Sequence, residues 1–181
     1  MTSSKHLLRH AQRLTGAALL GLALDGAAAA QTSNPPPGAS PAEEFVTWTI
    51  SAPTSALRPG SRLTLTLSGV VRDGWHVYSL EQLPDGPTPL RVSLDPTEVA
   101  TAQGAPSGSP AIKAIEPGIN LETQYYARPF TVTLPVRVGS LASPGQQRIP
   151  VSVRFQTCNG RICHAPKTVR LSALINVQPA E

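Results

Sequence analysis

The sequence predicts an all-β fold, an immunoglobulin-like antiparallel β-sandwich. Three observations carry this. Apolar and polar residues alternate with period two in four long segments, the signature of half-buried strands. Pro-Gly, Asp-Gly and Asn-Gly pairs punctuate those segments as turns. No segment shows a helical period, and 19 Pro in 181 residues oppose long helices, because each removes a donor and clashes with the preceding turn. A closed barrel is the alternative architecture.

Residues 1–30 read as a secretory signal. Lys5, Arg9 and Arg13 form a basic start, 14–24 is a short apolar stretch, and Ala28, Ala29 and Ala30 supply small residues for cleavage. The stretch is too short for a membrane span, and no other segment approaches the roughly 20 apolar residues needed. A retained N-terminal helix is the alternative. Residues 31–42, with three consecutive prolines, read as a flexible leader, and 43–181 as the folded domain.

Within 43–181, strands are expected at 45–50, along Leu63, Leu65 and Leu67, and at 75–80, 89–94, 97–103 and 111–115. Phe130, Val132, Leu134, Val136 and Val138 define a further face. So do Ile149, Val151, Val153 and Phe155, and then Val169, Leu171, Ala173, Ile175 and Val177. The segments 104–110 and 139–147 read as loops. About eight strands over ~135 residues suit a sandwich.

Charge excludes some functions. The whole chain carries +4, but without 1–30 it holds 12 Lys+Arg against 10 Asp+Glu. No basic run with interleaved aromatics remains, so nucleic-acid binding is not expected. Export implies a compartment outside the cytoplasm, where a disulfide can form and persist.

The chain has only two cysteines, and they stand close together in Cys158-Asn159-Gly160-Arg161-Ile162-Cys163. Asn159-Gly160 is a turn signal. Cysteines facing each other across this loop would have Cα atoms ~4.5–5.5 Å apart, which suits a disulfide. Parity then makes two predictions. Cys158 is even, whereas 149, 151, 153 and 155 face the core, so Cys158 should point outward with Arg154 and Gln156. Pairing Cys158 with Cys163 also conflicts with the odd-to-odd register of the flanking strands, so one extra residue must be absorbed between Cys163 and Val169, with Pro166 the natural place.

Three readings of the pair are open. A loop this short contributes only about 2–3 kcal/mol of closure entropy, less than a long-range bridge, so it is a modest structural staple. An accessible disulfide is open to attack by a thiolate, which is a redox role. Metal binding by Cys158, Cys163 and His164 offers only three ligands, two of them adjacent.

Three stretches together resemble the N-terminal periplasmic, or disulfide bond corrector, domain of the thiol:disulfide interchange protein DsbD family. They are Asp73-Gly74-Trp75-His76-Val77-Tyr78, then Thr133-Leu134-Pro135-Val136, then Phe155-Gln156-x-Cys158 through Cys163-x-x-Pro166. Their order and spacing agree over roughly 45–177. The resemblance implies an immunoglobulin-like sandwich whose cysteine pair shuttles electrons. It accepts them from a thioredoxin-like partner and reduces disulfides in periplasmic isomerases and cytochrome-maturation proteins. It implies that Cys163 forms mixed disulfides, that Cys158 resolves them, and that His76, Tyr78 and Gln156 line the site. It also places a shielding cap loop at 116–126, where Ile119, Leu121 or Tyr125 would replace the family's aromatic, or where no cap forms. A nearby imidazolium at His76 would favour a thiolate. The alternative for His76 and Tyr78 is an exposed position on a strand. Exchange of this kind needs no cofactor and no metal. Because the chain ends at Glu181, the electron donor is expected to be a separate membrane protein. The rival reading is a redox-inert immunoglobulin-like interaction module with a structural disulfide.

Overall fold

The computed structural model describes residues 45–179; the expected signal peptide, the leader and residues 43–44 and 180–181 lie outside the described residues. In chain order the strands are β1 (Val46–Ser51), β2 (Arg62–Val71), β3 (His76–Tyr78), β4 (Arg91–Leu94), β5 (Ala100–Ala102), β6 (Ser107–Gly108), β7 (Ile112–Glu116), β8 (Leu121–Tyr126), β9 (Phe130–Val138), β10 (Gly145–Phe155), β11 (Thr157–Cys158) and β12 (Lys167–Val177). There is no helix among the described residues.

The strands form three antiparallel sheets. One runs β1-β2-β9-β5, with β6 also on β9; a second runs β12-β10-β4; a third runs β11-β3-β8-β7. The first two face each other as an immunoglobulin-like β-sandwich, and both are open rather than closed into a barrel. Leu57 joins their edges, donating its N–H to Asn176 O at 2.7 Å and accepting from Gln178 N at 2.8 Å.

Alternation explains the core. Leu63, Leu65 and Leu67 of β2 and the five even-numbered apolar positions of β9 (Phe130, Val132, Leu134, Val136, Val138) point inward. Ile149, Val151, Val153 and Phe155 of β10 meet them, with Ala173, Ile175 and Val177 of β12. Each buried Val, Leu, Ile or Phe contributes about 1.5–3 kcal/mol, so this layer carries most of the stabilisation. Gly69 of β2 pairs with Phe130, and a Cβ there would come within 2.6 Å of the Phe130 ring. The glycine lets that ring lie across the strand, where Trp48 meets it edge-on at 5.5 Å.

The expected strands are present, several of them shorter or longer than read. Three elements differ. β6 lies within the expected loop 104–110, β10 begins inside the expected loop 139–147, and β8 is a full strand where a cap loop was expected. Residues 121–126, LETQYY, carry too little apolar alternation to read as a strand.

The third sheet stands at one end of the sandwich. β1, β9 and β10 come together there, because Trp48 of β1 touches both Phe130 of β9 and Phe155 of β10 (ring centroids 5.5 and 5.3 Å). β3 follows β2 through a turn closed by Trp75 N–H to Arg72 O, 3.0 Å, with Gly74 at φ 80°. β11 follows β10 after one residue, and β8 leads into β9. The sandwich therefore delivers three chain segments to one small sheet.

Candidate functional site

The cysteines close a disulfide, Cys158–Cys163, with Cα atoms 4.1 Å apart. The loop between them is held by Asn159, whose Oδ1 accepts from the N–H groups of Arg161 (3.0 Å) and Ile162 (2.8 Å). Asn159 N–H in turn donates to Ile162 O at 3.1 Å. Gly160 takes φ 80°, so the Asn-Gly pair works by a side-chain clasp and one left-handed glycine.

The register conflict resolves as parity requires. β10 and β12 pair Val153 with Val169 and Phe155 with Lys167, yet Cys158 bridges Cys163. Two residues separate Phe155 from Cys158 and three separate Cys163 from Lys167. Because His164 N–H still donates to Thr157 O at 2.9 Å, the extra residue falls at Ala165-Pro166.

The outward orientation expected for Cys158 is wrong. Cys158 is 1% exposed, whereas Cys163 is exposed. The parity count assumed that β10 runs on through Cys158. Instead β10 stops at Phe155, and Thr157–Cys158 re-pair with β3 in a different sheet, Cys158 opposite His76 and Thr157 opposite Val77. The disulfide thus spans from interior to surface.

β3 is buried on both faces. Val77 enters the core, while His76 and Tyr78 face the cysteine hairpin. The alternative of exposed strand residues fails for both: His76 is 8% and Tyr78 1% exposed. Tyr78 Oη lies 3.6 Å from Cys163 Sγ and donates to it. Burial, reinforced by Glu116, pushes the phenol up to about 12, so it keeps its proton. Gln156 turns its side chain the other way. Its Oε1 accepts from Thr88 N–H at 2.9 Å and its carbonyl from Tyr78 N–H at 3.4 Å, so it anchors β3 from behind.

Glu116 is the residue that sequence reasoning did not single out. At the end of β7 it is only 3% exposed. Its Oε2 lies 3.1 Å from His76 Nε2 and its Oε1 3.8 Å from Cys158 Sγ. Alternation gives no hint of it, since along β7 the charged residue turns in and Ile115 turns out. The turn after it, fastened by Ile119 and Asn120 N–H to Glu116 O, rests on the cysteine loop: a Cβ on Gly118 would lie 3.4 Å from Gly160 O. This hairpin turn occupies the expected cap position. It covers Cys158 and leaves Cys163 open, and Ile119 on it is exposed. Tyr125 lies against His76 instead, 4.5 Å between ring centroids.

Burial lowers the His76 pKa, against the opposing pull of Glu116, so the expected imidazolium is a neutral imidazole at neutral pH. His164 belongs to a separate aromatic stack, 5.0 Å from Phe45 and 5.1 Å from Trp75 between ring centroids. The ligand-type groups that converge are His76, Glu116 and Cys158 rather than His164.

Among curated proteins nothing matches. Among solved structures, the N-terminal periplasmic domain of ScsB from Proteus mirabilis is similar at 14% identity and a TM-score of 0.47, over 76% of this chain and 48% of that one. A family 123 glycoside hydrolase from Clostridium perfringens is similar at 8% identity and a TM-score of 0.35, over 74% and 28%. The chain spans about half the length of the ScsB domain and less of the hydrolase. The family model described as "Thiol:disulfide interchange protein DsbD, N-terminal" matches residues 43–174, with the two cysteines, His76, Tyr78 and Glu116 all inside the match, and the chain belongs to that family.

Proposed function

We propose that this is an exported, periplasmic thiol–disulfide exchange domain that relays reducing equivalents through Cys158 and Cys163. The observation that carries the reading is the unequal exposure of the two cysteines, Cys163 exposed and Cys158 at 1%. A partner thiolate can approach only Cys163 in line. Its attack forms a partner–Cys163 bond and breaks the Cys158–Cys163 bond, and Cys158 leaves with the electron pair. A second thiol of the partner then attacks the partner's own sulfur in the mixed disulfide. The partner becomes a disulfide, and the domain becomes a dithiol with two electrons and two protons gained. The dithiol passes these on by the reverse sequence, Cys163 attacking a target disulfide and Cys158 resolving it.

Glu116 serves Cys158 as it attacks. A thiolate is costly to form beside a buried carboxylate, so the leaving Cys158 takes up the proton that the partner's second thiol gives up, and in the return direction the attacking Cys158 thiol hands its proton to Glu116, whose Oε1 lies 3.8 Å away. Ile162, beside Cys163, and Ile119, on the adjoining turn, are exposed and give a thioredoxin-like partner an apolar landing. A membrane electron carrier supplies the electrons.

Trapping in the periplasm tests this. The Cys158→Ser variant should accumulate a disulfide-linked partner through Cys163, and Cys163→Ser should not. Capture by neither variant, or by Cys163→Ser alone, overturns the assignment.

A further inference from the structure

His76, Glu116 and Cys158 each present one metal-ligating atom, these atoms lie within 4.8 Å of one another, and all three residues are buried. A fourth donor, Cys163 Sγ, is bonded to Cys158. The set is two sulfurs, one imidazole nitrogen and one carboxylate oxygen, held by β3, the end of β7, β11 and the loop after it. Such a set suits a four-coordinate Zn2+-class cation, whose bonds of about 2.0–2.3 Å put its ligands roughly 3.3–3.8 Å apart. The separations of 3.1 Å from His76 Nε2 to Glu116 Oε2 and 3.8 Å from Cys158 Sγ to Glu116 Oε1, the two oxygens of one carboxylate, are of that size. Hard cations such as Mg2+ or Ca2+ demand oxygen shells and do not fit.

The disulfide hides this capacity, because bonded sulfurs carry no negative charge. Reduction by a partner dithiol adds two electrons and two protons, and a metal then displaces the two thiol protons. We propose that the dithiol form binds one Zn2+-class divalent cation through Cys158 Sγ, Cys163 Sγ, His76 Nε2 and a Glu116 oxygen, and that the disulfide form does not. The metal occupies Cys163, so it blocks exchange and stores the domain reduced. It also makes the pair a weaker reductant, by about 30 mV for each tenfold excess of free metal over its dissociation constant. This inference rests on the exchange reading, because only a reducible pair opens the site.

The test uses the full chain, reduced, freed of reductant under anaerobic conditions and checked for two thiols by alkylation and mass. Zn2+ is titrated against a chromophoric chelator. Co2+ is titrated in parallel, its thiolate charge-transfer and tetrahedral ligand-field bands reporting the ligands without any variant. The dithiol form should take up one equivalent and the disulfide form none. Glu116→Gln and His76→Gln, with unchanged circular dichroism, should each weaken binding at least tenfold. Two thiols without metal uptake, equal uptake by the disulfide form, a Co2+ spectrum lacking thiolate bands, or unchanged affinity in either variant overturns the site and leaves the exchange reading standing. A pair that cannot be reduced without unfolding overturns both.

Discussion

The Tyr78 hydroxyl stands 3.6 Å from Cys163 Sγ, joining a tyrosine that is 1% exposed to an exposed cysteine. A phenol pushed up to about 12 stays protonated, so it is a fixed donor to whatever charge Cys163 carries. In the dithiol form that charge is the attacking thiolate.

Tyr78→Phe should therefore slow alkylation of Cys163 in the reduced protein at neutral pH by about two- to threefold. Losing a hydrogen bond of about 1 kcal/mol lowers the thiolate fraction about fivefold, and the more basic thiolate regains part of that through greater nucleophilicity. Stopped-flow alkylation of Cys158→Ser with and without Tyr78→Phe measures it. An unchanged rate would make the contact one of packing alone.

Glu116→Gln should hold up the resolving step. The amide cannot take the Cys158 proton, and loss of a positioned base costs about 10²-fold or more. With Cys163 preloaded as a mixed disulfide with glutathione, the wild type should release glutathione quickly and the variant should persist in quenched samples. Equal release rates would remove Glu116 from the chemistry.

His76 should make the oxidised domain less stable in mild acid. Burial holds its pKa below the ordinary 6.5, so just below that value the unfolded chain binds the proton and the fold does not. The stabilisation is complete above about pH 6.5 and is lost as pH falls toward the folded value. Thermal melts at about pH 7.5 and about pH 5.5 should show a smaller loss for His76→Gln than for the wild type. Equal losses would place the acid sensitivity elsewhere.

The long strands were legible because their faces are one-sided. Leu63 to Leu67, Phe130 to Val138 and Ile149 to Phe155 alternate against polar partners, and each became a core face. Short strands of the third sheet were less so. β11 has two residues, β8 has polar residues where a core strand would be apolar, and β3 is buried on both faces and so shows no alternation. The two cysteines, His76 and Tyr78 were legible from motif spacing. The burial of Cys158 was not, because parity holds only while a strand stays in one sheet. Glu116 was invisible for a related reason: its burial is set by His76 and Cys158, two partners distant in sequence, rather than by its own strand's pattern.

The most direct test of exchange through Cys158 and Cys163 is the reduction potential of the pair, measured by equilibration against glutathione or dithiothreitol buffers with a chelator present. A working relay should be reduced and reoxidised by partner thiols, with a potential above about −300 mV. A value well below about −300 mV would contradict the account and make the disulfide a structural staple in a redox-inert domain.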